Sequence, residues 1–197
     1  MNTYQEIQTA SEQAGIWQAV RVGALHYLET GVLPWLESRT EIEGNAFRWP
    51  LSKVEETTLA SRWKPHFPMF EELIDIAIAE ERLDDVVHWY RQRNLGREWW
   101  NRASSSDDKI AEAVVEAHPD VAIEIWKGIA EFQITKTQTE AYEVAARYLR
   151  KIYRVLQRLR HEEEWCSYLA EIRTANHRKI RLIEILDSLI GRSIVDG

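Results

Sequence analysis

A single cysteine, Cys166, in a chain of 197 residues leaves no partner for an intrachain disulfide and excludes a cysteine-based zinc site. It fits a reducing compartment, and a cytoplasmic location is expected. No apolar run approaches the ~20 residues that a membrane-spanning helix needs. The first residues, MNTYQEIQTASEQ, have neither a basic n-region nor an apolar h-region, so they do not read as a signal peptide. Eight glycines and five prolines are few, and they form no phosphate-cradling loop and no dinucleotide fingerprint. GxSxG is missing too. Apolar alternation with period two is absent over any useful length, so no sheet is expected. No two histidines stand four apart around a glutamate, which excludes the zincin arrangement. A net charge of −7 argues against wholesale nucleic-acid binding. No catalytic residue, no metal ligand and no cofactor is assigned.

What is present is helix. The chain is 45% apolar and 29% charged, the balance of a folded helical protein. One pattern occurs twice, 36 residues apart, as AIAEERLDDVVHWY from Ala77 and AVVEAHPDVAIEIW from Ala113. Ala77 aligns with Ala113, Glu80 with Glu116, Asp84 with Asp120, and Tyr90 with Trp126, without a gap. Each copy reads as helix, tight turn, helix. Asp84 can cap its second helix, and Pro119 takes a first-turn position where its missing N–H costs nothing. That period marks stacked helical hairpins, whose oily faces shield one another. Nine tryptophans suit the wedges between such hairpins. Trp99 and Trp100 are the ones singled out as a candidate partner-binding pair.

The remaining segments fall into order around this pair. Thr9 and Glu12 have capping-box spacing, so a helix is expected to start there and to end at Gly31. Pro34, Gly44 and Pro50 break the pattern, and Ser52 with Glu55 opens a short helix to about 63. Helices are expected over 68–82, 84–95, 106–117, 119–135 and 138–160, then from the HEEEW segment to about 175, and last up to Gly191. The fold class is all-α: an antiparallel helix-hairpin array of about nine helices, tetratricopeptide-like, without a sheet. A single helical-repeat domain covers 1–197, with N-terminal helices and a loop over 10–64, paired hairpins over 68–135 and C-terminal helices over 138–191.

Several segments together resemble the helical C-terminal region of bacterial SWIM-type zinc-finger proteins: HYLETGVLP, FRWPL, LIDIAIAEERLDDVVHWY, AYEVAARYLRKIYRVL, EEEWCSYLAEIR and HRKIRLIEILDSL. The likeness covers about 15–190. It implies a tetratricopeptide-like array of the kind that follows the zinc finger, and a role with protein partners or nucleic acids. The finger itself needs a Cys-x-Cys and a Cys-x-His pair. No position here matches them, so no metal ligand is carried over.

Charge is distributed unevenly. Residues 141–181 carry a net +5, leaving −12 for the remainder. Arg147, Arg150, Lys151, Arg154 and Arg158 set a basic stripe along one helix, which could track a phosphate backbone or face an acidic neighbour. The carboxylate runs Glu71, Glu72, Asp75 and Glu80, Glu81, Asp84, Asp85 read as solvated helix faces. Cys166, beside Trp165 and Leu169, reads as a packed, inert thiol. The expected function is a non-enzymatic intracellular interaction or scaffold module that binds a partner protein or peptide. The alternative is a nucleic-acid-associated accessory region that uses the stripe.

Overall fold

A computed structural model describes residues 3–34, 41–42, 45–46, 49–51, 66–95 and 106–191. Among these the chain is all-helical apart from one minimal strand pair. The helices are α1 (Thr3–Gln13), α2 (Trp17–Thr30), α3 (Phe70–Ala79), α4 (Leu83–Asn94), α5 (Asp107–Val114), α6 (Pro119–Thr135), α7 (Thr139–Arg158), α8 (Glu162–Ala175) and α9 (Ile180–Gly191). The strands β1 (Glu41–Ile42) and β2 (Asn45–Ala46) pair antiparallel, Glu41 with Ala46 and Ile42 with Asn45. Two residues a side add no layer, and the all-α class stands. The helix expected after Ser52 and the pair Trp99–Trp100 lie outside the described residues. The chain divides into two compact units, Met1–Arg93 and Asn94–Gly197, so the boundary falls within the stretch 68–135.

In the first unit the start of α1 corrects the capping-box expectation. Thr9 lies inside the helix, and its hydroxyl donates back to the Gln5 carbonyl at 2.8 Å. The break comes at Gly15, which takes φ +67°. Its N–H donates to the Glu12 carbonyl and that of Ile16 to Ser11, at 3.0 and 2.9 Å. These paired bonds satisfy two carbonyls that the helix end would otherwise orphan. Gly31 ends α2 in the same left-handed region, with its N–H on the Tyr27 carbonyl at 2.8 Å. The Phe67 ring lies against it and edge-on to Tyr27, with ring centroids 5.3 Å apart. Leu73, Ile74, Ile76 and Ala77 give α3 one buried face. In α4, Val86, Val87 and Tyr90 are buried. Arg93 is only 4% exposed, bonds Glu71 at 2.8 Å and lies over the Tyr90 ring.

In the second unit α7 is the central rod. Ala141, Tyr142, Ala145, Ala146, Leu149 and Ile152 line its buried face, which packs chiefly on α6 and also on α8 and α9. Ala145 and, on α6, Ala122 and Ala130 are fully enclosed, so two backbones approach closely. Pro119 opens α6 at its first turn, as its chemistry dictates. The turn from α7 to α8 repeats the paired-bond stop, with Arg160 at φ +60°. Here Arg160 N–H donates to Gln157 and His161 N–H to Leu156, at 3.0 and 2.8 Å. Trp165, Tyr168, Leu169 and Ile172 form the inner stripe of α8. Cys166 is one residue off that stripe and is exposed. This corrects the expectation of a packed thiol, because ~100° of helix rotation separates it from Trp165.

The two copies of the repeated pattern are both helix–turn–helix. Val86, Val87 and Tyr90 are buried in one, as Ala122, Ile123 and Trp126 are in the other. Their turns differ. The first holds Glu81 at φ +56°, with the same paired bonds from Glu81 to Ile78 and from Arg82 to Ala77. The second passes through Val115 in the right-handed region and is closed by His118 N–H on the Val114 carbonyl at 2.7 Å.

Candidate functional site

The first unit gathers a polar cluster around Glu80, in the turn after α3. Arg21 of α2 grips the carboxylate with Nε and Nη2, both at 2.6 Å, and Arg82 Nε adds a third bond at 2.6 Å. The Tyr4 hydroxyl of α1 donates to the same carboxylate, and Arg82 also pairs with Asp85. Burial alone would raise the Glu80 pKa. The hydrogen bonds from Arg21, Tyr4 and Arg82 outweigh it and hold the group at about 2. Burial, and then the bond to Glu80, pushes the Tyr4 phenol well above its usual range. Glu80 was expected on a solvated face. Its side chain is 16% exposed and ties α1 and α2 to the end of α3.

Beside this cluster lies a half-open cavity of about 330 Å³, walled by α1, α2 and α3. Tyr4, Trp17 and Tyr27 supply aromatic faces, and Tyr4 meets Trp17 edge-on at 5.6 Å. Ile7, Leu25, Leu28 and Ile76 supply aliphatic surface. Arg21, Glu72 and Asp75 are the charged residues on it. Ile7 is 47% exposed although large and apolar, so it presents an oily edge at the mouth. A mostly apolar hollow with a few polar groups is the usual form of a binding site, and its volume is at the small end of the range.

In the second unit the basic stripe lies on α7 as the sequence places it. Part of it is occupied. Lys151 bonds Asp108 at 2.6 Å and Glu112 at 2.8 Å, and Arg158 pairs with Glu116. Those three acids recur every fourth residue along α5 and its following turn. Trp126 Nε1 donates to the same Asp108 at 2.9 Å, and the Lys151 ammonium lies 5.3 and 5.2 Å from the Trp126 and Tyr148 ring centres. Burial works against the charge on Lys151. The bonds to Asp108 and Glu112 outweigh it and raise the pKa. Arg147, Arg150 and Arg154 make no ion pair among the described residues, and Arg147 and Arg154 are exposed. A 3.6-residue turn puts Lys151 and Arg158 on one flank of the stripe and Arg150 and Arg154 on the other. The stripe is therefore half intramolecular clamp and half open edge.

Among the described residues no group of three His, Cys, Asp or Glu could hold a metal ion, and no helix is long and apolar enough to cross a membrane. No family model, curated protein or solved structure matches the chain. The cavity was not anticipated from the sequence. Its one linear signal is the absence of Lys and Arg from α1 and α3, which leaves Arg21 as the only such residue on the three walls.

Proposed function

We propose that this chain is a non-enzymatic protein-interaction module that takes a short segment of a partner into the cavity between α1, α2 and α3. The supporting observation is that cavity: aromatic and aliphatic inside, open at one side, and held in shape by the Glu80 cluster. Aromatic anchors around a small pocket are where protein partners concentrate binding energy. An intracellular setting and a tetratricopeptide-like stacking of helix pairs belong to the same reading, as does kinship with the helical region of SWIM-type zinc-finger proteins. Peptide display on the full chain tests it. Ile7→Asp puts a charge at the cavity mouth, on a side chain already half in water. Peptides enriched on the wild type should be lost on this variant. Equal enrichment on both would move the binding elsewhere.

A second reading, nucleic-acid association, rests on Arg147, Arg150 and Arg154 of α7. Three open cations, two neighbours already neutralised and a chain net charge of −7 make a weak electrostatic footprint. On this account the chain passes through a nucleic-acid column at low salt. Salt-sensitive retention, abolished by Arg150→Glu with Arg154→Glu, would favour the second reading.

A further inference from the structure

The three walls of the cavity are not equally anchored. Among the described side chains of α1 only Ser11 is buried, whereas α3 buries Leu73, Ile74, Ile76 and Ala77. The sequence of α1, TYQEIQTASEQ, explains the difference: its large apolar or aromatic side chains are Tyr4 and Ile7, and Ile7 is half exposed. An element that buries so little apolar surface opens at far less cost than the unit as a whole.

The points that hold α1 lie at its two ends. Ser11 is close to the C-terminal end, where the chain turns at Gly15. That glycine is exposed at φ +67°, and a Cβ on it would meet nothing within 4 Å. No side chain crowds the turn, so the backbone is free to pivot there. At the other end the Tyr4 hydroxyl donates to Glu80, and the ring stands edge-on to Trp17. At ~1.5 Å of rise per residue, Tyr4 and Ser11 are ~10 Å apart along the helix, with Ile7 between them at the cavity mouth. Arg21 grips Glu80 through two bonds of its own, so α2 stays joined to the end of α3 when Tyr4 lets go.

We infer that α1 is a hinged strap over the cavity, pivoting at Gly15 and latched by the hydrogen bond from Tyr4 to Glu80. The inference rests on the docking role proposed above: a partner segment enters when the latch releases, and the strap closes on it with Tyr4 and Ile7 against the segment. Glu80 then serves two separable purposes. Its bonds to Arg21 fix the floor of the cavity, and its bond to Tyr4 sets how often the cover lifts.

Hydrogen exchange of the full chain at neutral pH, where reclosing outruns exchange, tests this. In the wild type α1 should be protected, but less than α2 and α3. Tyr4→Phe keeps the ring and removes the latch. It should lower protection in 4–13 about tenfold and leave 17–30 and 70–79 unchanged. Glu80→Gln, which weakens the grip of Arg21 as well, should lower protection in all three. Equal losses in α1, α2 and α3 on Tyr4→Phe, no loss at all, or an α1 already unprotected in the wild type would overturn the strap and leave the docking site in place. A peptide enriched by display on the wild type separates the two ideas further. Protection gained in both 4–13 and 70–79 supports the strap, and protection gained in 70–79 alone overturns it. If the peptide protects neither, the docking reading falls and the strap's role falls with it.

Discussion

Two residues in the first unit make stability contributions that can be tested singly. Glu80 would titrate near 4.5 in the unfolded chain and is held at about 2 when folded. A depressed carboxylate contributes stability that is fully present above the unfolded value and is lost as pH falls through the folded one. The window therefore runs from about pH 5 down to about pH 2, with roughly 1–3 kcal/mol at stake, the lower end allowing for solvent screening of the guanidiniums. Amide protection in α2 and α3, measured relative to the intrinsic exchange rate at each pH, should fall across that window, and Glu80→Gln should flatten the dependence. Gly31 is the second. It sits at φ +78°, and a Cβ there would stand 2.6 Å from a Phe67 ring carbon. Backbone strain and the clash act together, so Gly31→Ala should cost about 1–3 kcal/mol. Denaturant melts of the full chain measure it, and an unchanged midpoint would show that Phe67 moves away freely.

Helix ends are where the elements reveal their chemistry. Three stops share the same pair of hydrogen bonds, at Gly15, Glu81 and Arg160, and only the first uses glycine. A side chain in the left-handed region costs ~1–2 kcal/mol, partly offset by the extra freedom glycine gives the unfolded chain. Arg160 and Glu81 are exposed, so little else is lost when they are replaced. Glu81→Gly and Arg160→Gly should each raise stability by a few tenths to about 1 kcal/mol, and a denaturation midpoint that falls would contradict this. The same scale explains what could be read beforehand. Pro119, the acidic first turn at Glu162–Glu164 and the unbroken apolar stripe of α7 each marked a boundary or a face correctly, because each acts within its own helix. Thr9 and Glu12 imitated a cap inside α1. Local spacing cannot tell a hydroxyl that caps an N–H from one that donates back to the Gln5 carbonyl. Cys166 was misjudged for a related reason: apolar neighbours in sequence are not neighbours on a helix face.

For the whole molecule, the all-α class followed from composition and period, whereas the candidate site did not. Its walls come from Tyr4 to Leu28 and from Glu72 to Ile76, distant in sequence, and no short window brings them together. Glu80 looked like one acid in a solvated run until Arg21 and Tyr4 were found on it. The basic stripe was legible as a pattern, but its worth depended on α5, which answers Lys151 and Arg158 with acids of its own. The account's central claim is that a partner peptide docks against α1, α2 and α3. Hydrogen-exchange mass spectrometry of the full chain, with and without a display-selected peptide, tests it most directly. The account predicts new protection in 3–30 and 70–79 with none gained along 139–158. Protection confined to 139–158, with the first three helices unchanged, would contradict it.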